Sequence, residues 1–63
     1  MSGQVTNVMV GGNFEVVTGD GHKILARLSG RMRRFRIRVV LGDQVLVGVS
    51  PYDPTRGLIT RRV

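Results

Sequence analysis

The densest chemistry in the chain is SGRMRRFRIR, residues 29 to 38, where Arg31, Arg33, Arg34, Arg36 and Arg38 fall within ten positions and no acid interrupts them. Arginine carries a planar guanidinium whose donors match phosphate oxygens in pairs and whose face stacks on bases. The rest of the chain adds Lys23, Arg27, Arg56, Arg61 and Arg62 against only four acids, for a formal charge of +6. Nine of these ten bases are arginine. A run of arginines can be a plain solvated loop, but the preference over lysine and the lack of compensating acids favour contact with a nucleic acid. A membrane surface would attract the same charge, yet no amphipathic helix is legible to lie on it.

Residues suited to catalysis are few. There is one histidine, His22, no cysteine, and the acids Glu15, Asp20, Asp43 and Asp53, of which Asp20 and Asp43 stand beside turn glycines. No two of these are spaced for general acid and base work on one strand face. Gly19 and Gly21 lack the third glycine and following helix of a dinucleotide loop, and no Gly-Lys-Ser/Thr is present for a phosphate loop. The sequence therefore argues against an enzyme and implies neither a cofactor nor a metal. His22, directly after a turn, reads as a surface residue.

Aromatic residues are also scarce: Phe14, Phe35 and Tyr52. Sequence-tolerant binders of single strands offer several stacking residues, so recognition of backbone and shape should outweigh stacking, and a folded RNA surface is the expected target. Phe14 alternates with Val16 and reads as core. Phe35 interrupts the arginines with no clear parity and is the better stacking candidate. Tyr52, between Pro51 and Asp53, reads as a turn-packing residue with its hydroxyl bonded locally.

The elements that must hold these residues follow a period of two. Residues 3–10 contain Val5, Val8 and Val10 before Gly11-Gly12 and read as a first strand with a break or bulge. Residues 13–17 alternate around Phe14 and Val16, Asp20-Gly21 signals a hairpin turn, and residues 22–28 alternate with Ile24, Ala26 and Leu28 on one face. Gly42-Asp43 marks a second turn, Val45, Val47 and Val49 share a parity in residues 44–49, and Pro51 ends that strand. Residues 58–62 form a short last strand. Between the third and fourth strands lies one long connection, residues 29–41, with Met32 and Ile37 as its expected anchors in the core and the arginines outward. The outline is one all-β domain over residues 1–63, five antiparallel strands in an OB-type barrel or an SH3-like one. At this size the core is small, and no disulfide supplements it. No apolar run reaches membrane-spanning length and residues 1–4 lack signal-peptide order, so a cytoplasmic location is expected.

Four ordered strings then carry a resemblance. Ser29-Gly30-Arg31-Met32-Arg33-Arg34, Ile37-Arg38, Gly42-Asp43-x-Val45-x-Val47 and Pro51-Tyr52-Asp53-Pro54-Thr55-Arg56-Gly57, with Phe14, Gly21-His22 and Ala26, resemble bacterial translation initiation factor one over residues 3–62. That resemblance implies a five-stranded OB-fold barrel with a short helical connection between strands 3 and 4. It implies binding to the A site, in the decoding region of the small ribosomal subunit, through ribosomal RNA, in support of initiation factors two and three. A small-subunit ribosomal protein is an expected neighbour, catalysis is not expected, and the factor would be a monomer off the ribosome. Carried over by position, Arg31, Met32, Arg33 and Arg34 would approach the RNA, with further contacts from Phe35, Arg36, Arg38, Arg56, Arg61 and Arg62. His22 and Arg27 complete the candidate set. A cold-shock-like RNA-remodelling barrel and a structural ribosome-associated protein are the alternatives.

The chain also departs from that family's pattern. It starts almost at the first strand, where the family has a short charged segment. The usual Asn-Tyr or His-Tyr before Ile-Arg is Phe35-Arg36, Arg27 stands where a histidine is common, and Thr60-Arg61-Arg62 lacks an aromatic. Each internal change adds charge or removes aromatic surface, which fits a phosphate-weighted interface.

Overall fold

A strand places alternate residues on one face, so segments that alternate β-branched or aromatic residues with polar ones can bury one side and wet the other. The computed structural model describes residues 1–63 and forms five such strands: β1 (Ser2–Met9), β2 (Asn13–Thr18), β3 (Lys23–Leu28), β4 (Gln44–Val49) and β5 (Arg56–Arg62). One short helix, α1 (Gly30–Arg34), lies between β3 and β4. Between β2 and β3, Gly21 takes φ 87°, the left-handed geometry that makes Asp-Gly a turn signal.

The strands close a barrel in the order β1-β2-β3-β5-β4, with β4 pairing back onto β1. Since β1, β3 and β5 run one way and β2 and β4 the other, the seam between β3 and β5 must be parallel, and it is. The expectation of five antiparallel strands is corrected at that seam. The β1-β2-β3-β5-β4 closure, with its helix between β3 and β4, is an OB-fold barrel, which decides against the SH3-like alternative. A register shift between Val5 and Asn7 is the bulge expected in the first strand.

β5 starts two residues before the expected Leu58. Arg56 and Gly57 pair with Leu25 and Ala26 of β3, a long-range ladder that local propensity does not reveal. Gly57 is required on the other side of β5, against β4: a β-carbon there would lie 2.7 Å from the Gly48 carbonyl oxygen and 2.8 Å from Val47 Cγ1.

Ten apolar side chains fill the interior: Val5, Phe14, Val16, Ile24, Ala26, Val45, Val47 and Ile59 from the strands, and Met32 and Val39 from the long connection. Each large one is worth about 1.5–3 kcal/mol of transfer free energy before the entropy of ordering is subtracted. Phe14 is core, as its alternation implied. Ile37 is not. It stays 38% exposed while Val39 is 7% exposed, because Arg36 adopts φ 52° and re-aims the chain after the helix. Tyr52 also departs from expectation, at 96% exposed. Its turn is closed without the ring: Ser50 Oγ accepts from the N–H groups of Tyr52 and Asp53 at 3.2 and 3.3 Å, and Asp53 Oδ1 accepts from the Thr55 N–H at 3.0 Å. The tyrosine hydroxyl makes no local hydrogen bond. No helix is long and apolar enough to cross a membrane.

Candidate nucleic-acid interface

The arginine segment is built as a rigid turn of helix. Ser29 caps α1, its Oγ accepting from the Met32 N–H at 3.4 Å, while its own N–H donates to the Ile59 carbonyl at 2.9 Å and ties the helix start to β5. Met32 is 1% exposed and pins the middle of the helix to the core. It is therefore the anchor of the RNA-binding candidates and not itself a contact surface. At the other terminus the Arg36 N–H donates to the Arg33 carbonyl at 3.2 Å and the Ile37 N–H to the Met32 carbonyl at 3.0 Å. These two bonds with a left-handed residue at Arg36 form a Schellman stop, in which arginine occupies a position that usually holds glycine. The Phe35-Arg36 pair thus has a backbone role: Phe35 ends the helix and Arg36 reverses the chain.

Because Met32 faces inward, Arg31, Arg33 and Arg34 face outward, and none has an acidic partner. Arg34 lies over the Phe35 ring, 5.9 Å from its centroid, and the ring is 61% exposed, so a cation–π pair stands open to solvent. The last strand joins this group. Arg62 Nη1 donates to the Arg38 carbonyl at 2.9 Å, which fixes the end of β5 against the connection. Arg31, Arg33, Arg34, Arg36, Arg38, Arg61 and Arg62 accordingly gather at one end of the barrel.

Arg56 and Arg27 are placed elsewhere. Arg56 sits at the opposite end of β5 from Arg62, about 20 Å away along the strand, and holds Asp53 through Nε at 3.5 Å. Arg27 donates through Nε to Asn13 Oδ1 at 3.2 Å across β2 and β3. Both lie on the outer face of the sheet, with Lys23 on the same face of β3. The sequence counts Lys23 only among the bases and gives Leu25 no role. The parity that buries Ile24 and Ala26 already turned both outward.

His22 belongs to the far end, on the β2–β3 turn. Its Nδ1 lies 2.8 Å from Asp20 Oδ2, and Asp20 also accepts from the Thr18 hydroxyl. The Thr18 hydrogen bond, then the one from His22, holds the Asp20 carboxyl down at about 2. Asp53 is likewise lowered, first by the Thr55 hydroxyl and then by the Thr55 N–H. At this end the carboxylates cap turns.

Comparison with known proteins agrees with the fold and adds a family. A family model described as Translation initiation factor 1A / IF-1 matches residues 1–63. The solution structure of translation initiation factor one from the Wolbachia endosymbiont, strain TRS, of Brugia malayi superposes at TM-score 0.84 with 38% identity, over 100% of this chain and 75% of that one. YjeQ from Thermotoga maritima (TM-score 0.78, 22% identity) and YloQ, a circularly permuted GTPase (0.79, 18%), match 98% of this chain with 22% of their own lengths. At those identities they share the fold alone. A match over every residue, together with an initiation factor of the same barrel 38% identical along it, shows that the chain belongs to the translation initiation factor 1A / IF-1 family and is a translation initiation factor.

Proposed function

We propose that this factor binds the A site of the small ribosomal subunit by laying α1 and its flanking arginines on the ribosomal RNA of the decoding region. From there it stabilises the binding of initiation factors two and three, beside a small-subunit ribosomal protein. The observation that carries this reading is the end of the barrel where seven arginines stand without an acidic partner around a helix held rigid by Ser29, Met32 and the Arg36 stop. A fixed array of guanidinium groups lowers the ordering cost of binding and matches phosphates in pairs. The work is binding by a cytoplasmic monomer and needs no covalent step.

Co-sedimentation with purified small subunits tests it, across a salt series and with an A-site competitor. If about six phosphates are neutralised, log affinity should fall with log salt at a slope of roughly −4. Absence of binding at low salt, a slope near zero, or indifference to the competitor would each defeat the proposal.

A further inference from the structure

Three of the four acids are absorbed by turns: Asp20 and Asp53 as described, and Asp43 through the Val40 N–H, which donates to its Oδ2 at 3.0 Å. Glu15 is different. It projects from the middle of β2 onto the outer face, has no base within ion-pair reach, and is steadied by the Thr6 hydroxyl, which donates to its Oε1 at 3.2 Å. Register places it in one row with Leu25 of β3 and Arg56 of β5. Residues directly opposite share a face, so a carboxylate and a guanidinium flank a half-buried leucine, their backbones about 10 Å apart. Two adjoining clefts of about 280 and 270 Å³ share Leu25 and Arg56; the first reaches Glu15, the second Asn13 and Arg27.

We propose that this row is a guanine-reading subsite for a strand of RNA, resting on the RNA-binding reading above. Leu25 is the apolar platform for the base. Guanine then presents N1–H and the N2 amine side by side to the Glu15 carboxylate, while O6 and N7 accept from the Arg56 guanidinium, a pairing common in specific base recognition. Arg56 has its Nη groups available for this, since only Nε is held by Asp53. Uracil is rejected because it turns a carbonyl oxygen toward the carboxylate. Adenine and cytosine offer Glu15 one amine with a ring-nitrogen acceptor beside it in place of a second donor. A carboxylate inside a basic face weakens phosphate binding for every sequence, so its contribution must come from the base edge.

The test is fluorescence anisotropy at low salt with labelled uridine hexamers carrying one central G, A, C or inosine, on the wild type, Glu15→Gln and the triple variant Arg31→Ala, Arg33→Ala, Arg34→Ala. The wild type should prefer G over all-U by roughly tenfold, with inosine between them because it lacks the N2 amine. Glu15→Gln should reduce that ratio to within about twofold and leave all-U affinity equal or higher, while the triple variant lowers every affinity and preserves the ratio. Equal binding of all hexamers by the wild type, or a ratio unchanged in Glu15→Gln, overturns the subsite and leaves the RNA-binding reading standing. No binding of any hexamer by the wild type likewise overturns the subsite, while the RNA-binding reading stands or falls on co-sedimentation with small subunits.

Discussion

The two ends of the barrel are built by the same device and carry opposite chemistry. Because strand directions alternate, α1, residues 35–43 and Arg62 crowd one end, and the β2–β3 and β4–β5 turns occupy the other. Both are fixed by short-range hydrogen bonds in which side-chain oxygens accept from backbone N–H groups, those of Ser29 and Asp43 at the first end and those of Ser50 and Asp53 at the second. At the α1 end the arginines are left over once those bonds are made. At the far end the carboxylates are partnered, Asp20 by the Thr18 hydroxyl and the His22 ring and Asp53 by Thr55 and Arg56. A formal charge of +6 therefore acts as a local field and not as a diffuse one.

The strongest way to break that comparison is to strip one end. Replacing Arg31, Arg33 and Arg34 together by alanine should weaken binding to small subunits about a thousandfold at low salt, taking about 1.4 kcal/mol for each guanidinium–phosphate hydrogen bond removed. His22→Ala, at the far end, should change affinity about twofold or less. Comparable losses from both variants, measured by the same sedimentation titration, would mean that the factor is held by its whole surface.

The ends also differ in what anchors them. Between its cap and its stop the arginine helix has one buried apolar anchor, so Met32→Ala should cost about 3 kcal/mol in urea unfolding. The β4–β5 turn hangs on polar bonds, and Ser50→Ala should cost about 1 kcal/mol. A Met32→Ala cost no larger than that of Ser50→Ala would show that the helix is held by its cap alone.

What sequence reasoning reached and missed follows the same division. Alternation found β2, β3 and β4, because burial on one face acts residue by residue along the chain, and their inward set of Phe14, Val16, Ile24, Val45 and Val47 follows from parity, whereas β1 and β5 were legible only as β-competent segments. The expected short helix at Ser29–Arg34 is also present, with Met32 inside. The errors sit where one backbone torsion or one distant pairing decides. Ile37 and Val39 exchange places because Arg36 is left-handed, and no glycine announced it. Arg56 stands in the candidate set with the α1 arginines yet lies apart from them, because its position in the β3–β5 ladder is a tertiary fact. Tyr52 is outside because Ser50 and Asp53 close the turn first. Of the candidate site, the residue types were legible and their division between the arginine end, the outer face and the β2–β3 turn was not.

A smaller effect separates backbone from charge at Arg36. Its left-handed conformation costs an L residue about 1 kcal/mol that glycine avoids. Arg36→Gly should therefore stabilise the domain by up to about 1 kcal/mol in urea unfolding while weakening RNA binding a few-fold. A loss of stability would mean that the arginine side chain itself, and not only the chain reversal, supports the α1 end.

The smallest expected effect belongs to the far end and has a defined pH window. Asp20 is held at about 2 against an ordinary 3.8, chiefly by the Thr18 hydroxyl and then by His22. A carboxyl depressed in the folded state stabilises above its unfolded value, and that contribution is lost as pH falls through the folded one. Stability should thus decline between about pH 4 and pH 2, and Asp20→Asn should flatten part of that decline while leaving the part due to Asp53, which is lowered in the same direction. Thermal unfolding of both proteins across that range measures it. RNA binding near neutral pH should not respond, since the charge at the α1 end does not change there; a binding loss in Asp20→Asn would connect two ends that the hydrogen-bond network keeps separate.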